Sequence, residues 1–215
     1  MATRSHLDSR SQTTGLRKER WEERPKTLRI YLICRAVGLL LCGLLVQRPA
    51  HAQTAEVSQV KAAYLYNFVK LVEWPSDAFQ STGDPAVICV IGDDRTGEVL
   101  QQAVVGRRAN GRRVEARRPR SANEFRACQV LFIGFSDKDR IAGILRGLHN
   151  SNVLTVGQAD QFLSLGGMIN LVERNGTIEL EIDPEATDAA GLKVSSRLMV
   201  VSRIVTHQHR GGGRP

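Results

Sequence analysis

The sequence predicts a three-layer α/β domain, in which a mostly parallel sheet of about five to six strands carries helices on both faces and finishes in a C-terminal antiparallel hairpin. Two observations predict it. Short unbroken apolar runs at 86–91 (AVICVI), 129–135 (QVLFIGF) and 152–156 alternate with stretches of helical period, as expected of strands buried on both faces. Asn175-Gly176 then separates two strand-like runs, 167–172 and 177–182, and Asn-Gly in that position is a strong hairpin signal.

The chain has 215 residues, and 1–52 read as a secretory leader with an extended polar n-region. Residues 1–29 are polar and basic, 36–46 form an apolar run, and Ala50-His51-Ala52 is a small-x-small signal for cleavage after Ala52. The run is shorter than the roughly 20 residues a membrane span needs. This leaves 53–205 as one exported domain, with 206–215 and their glycine run as a disordered tail. Ten of the 30 Lys and Arg residues and four of the 22 acids fall in the leader, so its removal lowers the net charge from +8 to +2. The high isoelectric point therefore gives no reason to expect a nucleic-acid partner.

The domain opens on its most strongly patterned stretch, 57–75 (VSQVKAAYLYNFVKLVEWP). It reads as an amphipathic helix with Val57, Val60, Tyr64, Phe68, Leu71 and Val72 on the buried stripe, widened by Ala63, Leu65 and Val69. Pro75 ends it and pushes Trp74 out of the helical region. A large amphipathic ring at that exit suits either the rim of the core or a partner's pocket. After the strand at 86–91, residues 96–105 read as a helix capped by Thr96 or Asp94. Seven arginines follow within fourteen residues: Arg107, Arg108, Arg112, Arg113, Arg117, Arg118 and Arg120. Alternation around Val114 and Ala116, after an Asn110-Gly111 turn, predicts an edge strand there. Charge on an edge blocks unwanted strand pairing, and the same charge could meet an acidic partner surface or anionic lipid. The block lacks the interleaved aromatics that stack on single-stranded nucleic acid.

Beyond the strand at 129–135, residues 137–148 read as a helix with Ile141, Ile144, Leu145 and Leu148 inward, and 157–165 as a connection. In the hairpin's second strand Ile178, Leu180 and Ile182 alternate with polar residues, so one face should be buried. Asp183-Pro184 starts a short helix through Ala190. Residues 194–205 read as a last helix with Leu198, Val201, Ile204 and Val205 inward.

Catalytic and metal-binding constellations are sparse, so no enzyme, cofactor or metal site is expected. His149 stands near a helix end, and His207 and His209 lie in the tail without further ligands. Ser136 has no evident base, and the turn 92–97 lacks dinucleotide-binding glycine spacing. Asp93 and Asp94 follow the first strand, where open α/β sheets bind ligands. They read first as turn and cap residues, with Lys193 as a candidate contact for an anionic ligand should that crevice be a site. Cys89 and Cys128 are the two cysteines beyond the leader. In an exported protein they form a candidate disulfide, the alternative being two buried thiols on separate strands.

Several stretches together resemble the YfiR-like periplasmic family. They are Lys61–Phe68 (KAAYLYNF), Glu73-Trp74-Pro75, Ile88–Gly92, Cys128–Ile133, Val153–Val156, Gly166–Ile169 and Ala190–Ser196. The resemblance covers about 56–205 and implies a small α/β protein that represses a membrane-bound diguanylate cyclase by contacting its periplasmic region, with an outer-membrane lipoprotein relieving repression. It also matches Cys89 and Cys128 to the family's structural disulfide. Some relatives carry a second pair where this chain has Leu163 and Asn170, so that bridge is missing here. The residues expected to meet the partner are Trp74, Arg112, Arg113, Arg117 and Arg118, and a homodimer is a further assembly to test. The alternative is a periplasmic small-molecule sensor, or behind it an enzyme, using the crevice beside Asp93 and Asp94 at the carboxyl ends of the strands.

Overall fold

The computed structural model describes residues 50–205, so most of the expected leader and the expected C-terminal tail lie outside the described residues. Helix α1 (Ala50–Leu71) leads into a two-residue strand β1 (Val72–Glu73), and a 3-10 turn at Ser76–Ala78 connects to β2 (Ala86–Ile91). Then come α2 (Asp94–Val104), β3 (Arg108–Ala109), β4 (Arg112–Arg117), α3 (Ala122–Phe125), β5 (Val130–Ile133), α4 (Lys138–Gly147) and β6 (Leu154–Gly157). The chain finishes with β7 (Ile169–Arg174), β8 (Thr177–Ile182), α5 (Pro184–Ala189), β9 (Lys193–Val194), α6 (Ser196–Val200) and β10 (Ser202–Ile204).

The main sheet runs β10-β8-β7-β6-β5-β2-β4-β3, and β1 pairs with β9 in a separate ribbon. The expected mostly parallel, three-layer sheet is present, widened to eight strands by short pieces at both edges. Strands β4, β2, β5, β6 and β7 are parallel neighbours, and β7 and β8 form the antiparallel hairpin. Positive φ at both Asn175 (51°) and Gly176 (76°) gives its turn the twist that closes a two-residue hairpin. Asn110 (49°) and Gly111 (80°) do the same between β3 and β4.

Side chains alternate across the sheet because successive strand residues point to opposite faces. Ile88, Val90, Val130 and Phe132 join α1 and α2 in one core, through Leu65, Phe68, Leu100 and Val104. Val87, Cys89, Leu131 and Ile133 meet α4 in the other, through Ile141 and Leu145. The disulfide between Cys89 and Cys128 is formed, with Cα atoms 5.9 Å apart, and ties β2 to the chain just before β5.

Three expectations need correction. Helix α1 ends at Leu71, and Val72 and Glu73 leave it to pair with Val194 and Lys193. Leu65, Phe68 and Val69 of the predicted stripe are buried, but the face continues through Ser58 and Ala62, while Val60 is 38% exposed and Ala63 is exposed. Small residues at 58 and 62 let the helix lie close to the sheet, a constraint that an apolar count does not register. The arginine-rich strand β4 is one place in from the edge, because β3 pairs outside it. Finally, the predicted last helix stops at Val200. Residues 202–204 instead add a strand parallel to β8, satisfying backbone groups that the hairpin would leave unpaired. Leu198 is buried as expected, but Val201 and Ile204 are 66% and 53% exposed.

Candidate functional site

Pro75 forbids helix at Trp74, and β1 turns the chain across the lower end of α1. The result is an open groove of about 690 Å³ between that exit and the start of β2, walled by Val72, Trp74, Phe79, Asn110 and Arg112. Trp74 is partly buried against the core, and its indole Nε1 is buried without a hydrogen-bond partner among the described residues. A buried donor left in that state is costly, and because Nε1 is shielded from solvent, it is the rest of the ring that lines the groove.

Arg112 forms the opposite wall. Its guanidinium lies 3.8 Å from the centre of the Phe79 ring, and Nη1 donates to the carbonyls of Ser81 (2.8 Å), Thr82 (3.2 Å) and Asp84 (2.9 Å). The planar fork thus holds the 81–84 loop in place. The Asp84 carboxylate closes that loop by accepting from the Ser81 amide and hydroxyl, both at 2.7 Å. These bonds, the hydroxyl's above all, hold its pKa below the usual aspartate range. Asn110, in the left-handed turn, donates to the carbonyl of Val69 at 3.1 Å and anchors the groove to α1.

The arginine block does not form one surface. Arg112, Val114 and Ala116 point to the α1 side, and Arg113 and Arg117 to the other. Arg117 pairs with Glu115 at 2.7 Å, and Arg118 reaches Asp94 at 3.5 Å and Glu98 at 3.6 Å. Only Arg112 therefore joins Trp74.

The crevice at the carboxyl ends of β2 and β5 is crossed by the protein's own side chains. Asp93, rather than Thr96 or Asp94, caps α2, accepting from the Thr96 amide at 2.9 Å and its hydroxyl at 2.8 Å. Lys61 of α1 stands 3.6 Å from the same carboxylate and donates to Gln158 Oε1 at 2.6 Å, while Gln158 Nε2 donates to the Gly134 carbonyl. Lys61 and Asp93 are 11% and 16% exposed, so the pair is largely out of solvent. Gly92 (φ +75°) lets the Phe135 ring close the remaining space. Asp94 points away to Arg118, and Lys193 lies opposite Glu73 at the other end of α1. The three residues expected to meet a small ligand are therefore not brought together.

Sequence reasoning missed Phe79, Asp84, Lys61 and Gln158. Lys61 fell on the polar side of the predicted stripe, and the others lie in connections without periodicity. Among the described residues no group of three or more His, Cys, Asp and Glu side chains could hold a metal, and no helix is long and apolar enough to cross a membrane.

The chain belongs to the YfiR/HmsC-like family, which it matches over residues 58–203. That family is regulatory rather than catalytic and periplasmic, consistent with control of diguanylate cyclases. Among solved structures the chain is similar to a conserved domain protein from Vibrio cholerae O1 biovar El Tor (10% identity, TM-score 0.40, covering 56% of this chain and 54% of that one). It is also similar to the ABC domain in complex with L-Trp from Streptococcus pneumoniae (9% identity, TM-score 0.46, 67% and 60%). The chain thus spans less than two-thirds of the length of these two proteins.

Proposed function

We propose that this protein represses a membrane-bound sensor enzyme, a diguanylate cyclase, by seating a segment of the sensor's periplasmic region in the Trp74 groove and so lowering cyclic di-GMP. The observation that carries this reading is the open groove itself, walled by the Trp74 ring and Arg112 and large enough for a partner side chain. Repression requires only that the groove bind the inactive arrangement of the sensor more tightly than the active one. A preference of about 100-fold would move an evenly balanced sensor to about 1% active when saturated. An outer-membrane lipoprotein would relieve repression by competing for the same surface.

The test is Trp74→Phe, which keeps most of the ring bulk and trims the apolar wall of the groove. Binding to the solubilised cyclase should weaken about three- to tenfold, the size of roughly one buried methylene of apolar contact, with the melting temperature essentially unchanged. Affinity equal to the parent's would remove the indole from the contact.

A further inference from the structure

We propose that the β3 edge of the sheet, opposite β10, is a membrane-contact surface that takes anionic phospholipid headgroups. Val105 follows α2 and is 78% exposed. Gly106 (φ +69°) then turns the chain into Arg107 and Arg108. Arg108 faces Arg113 directly across the β3–β4 ladder. Like charges in that position repel. Among the described residues, none of Arg107, Arg108, Arg113 and Lys70 has a carboxylate within ion-pair distance, unlike Arg117 and Arg118.

Arg108 and Arg113 project from the face opposite α1, and on the α1 face Arg107 and Lys70 gather around Tyr66. The Arg107 guanidinium and the Lys70 ammonium lie 5.2 and 5.5 Å from its ring centre, and its hydroxyl donates to the Arg108 carbonyl at 3.1 Å. A projecting apolar residue flanked by arginines and a tyrosine suits a plane of headgroups. Phosphates accept from the guanidinium groups, the aromatic ring sits at headgroup depth, and the valine enters the acyl boundary. A protein partner would need an apolar centre within about 1,000 Å² of interface, which one exposed valine does not supply. The surface is separate from the Trp74 groove and does not depend on which protein fills it.

The experiment is co-sedimentation of the processed protein, purified from its native host, with vesicles of phosphatidylcholine alone or with phosphatidylglycerol added. Binding should require phosphatidylglycerol and fall as salt is raised. Each basic residue is worth about fivefold in partitioning, so Arg107→Gln/Arg108→Gln/Arg113→Gln should lose about 100-fold. Val105→Ser should lose severalfold at unchanged charge, and Trp74→Phe should bind vesicles like the parent, which keeps this test apart from that of the groove. Parent-like melting of the triple variant shows that the loss is not unfolding. Sedimentation independent of phosphatidylglycerol, or unchanged in the triple variant, overturns the inference. So does displacement by inorganic phosphate alone, which would mark a free-phosphate site. A triple variant that binds vesicles normally but loses the cyclase would assign the patch to an acidic protein instead.

Discussion

Arg112 shows how a residue can look like a surface contact in sequence and be a brace in space. Its three carbonyl acceptors and the Phe79 ring fix the loop that forms the groove wall. Arg112→Ala should therefore lower stability by about 1–3 kcal/mol in a denaturant titration, as well as weakening partner binding. Arg113→Ala should leave stability within about 0.5 kcal/mol of the parent, since that side chain is exposed. Asp84 adds a pH dependence to the same loop. Its carboxyl is held below the usual aspartate range, so its contribution is complete above the unfolded value and is lost only as pH falls through the lower folded one. The Ser81 amide resonance should titrate with a midpoint below about 3.9, and the step should vanish in Asp84→Asn. A midpoint at the ordinary value would mean that the loop is open in solution.

At the scale of elements, the β strands were the most legible part of the chain, because a strand buried on both faces reads as an unbroken apolar run. β2, β5 and the β7–β8 hairpin lie where the sequence puts them, within a residue or two. The end of the chain was not legible in this way. Leu198, Val201, Ile204 and Val205 repeat at helical spacing, yet residues 202–204 pair with β8, since an open sheet edge offers hydrogen bonds that a short final helix does not. This distinction is measurable. Leu198→Ala should cost about 2–5 kcal/mol, whereas Val201→Ser should stay within about 0.5 kcal/mol; a large loss at Val201 would favour the helix. The groove was half legible. Trp74 and Pro75 announce an exit, but Phe79 and Asp84 come from a connection whose position only the tertiary fold sets. The β1–β9 ribbon was invisible, because two-residue strands carry no period.

For the molecule as a whole, the disulfide spans a sequence separation of 39 residues and joins β2 to the start of β5, neighbours at the centre of the sheet. Closing a loop of that size stabilises the fold by about 4 kcal/mol through the unfolded chain, so a reductant should lower the urea midpoint accordingly. The same change in Cys89→Ala/Cys128→Ala would show that the bond, rather than the reagent, is responsible. This stapled scaffold presents the Trp74 groove to its partner. The most direct measurement is in-place cross-linking of the parent and Trp74→Phe proteins in the native host, followed by identification of the cross-linked species. The account predicts a membrane protein with a periplasmic sensor region and a cytoplasmic cyclase domain, recovered less well with Trp74→Phe. Recovery of the protein alone, or equal recovery of the cyclase by both forms, would contradict it.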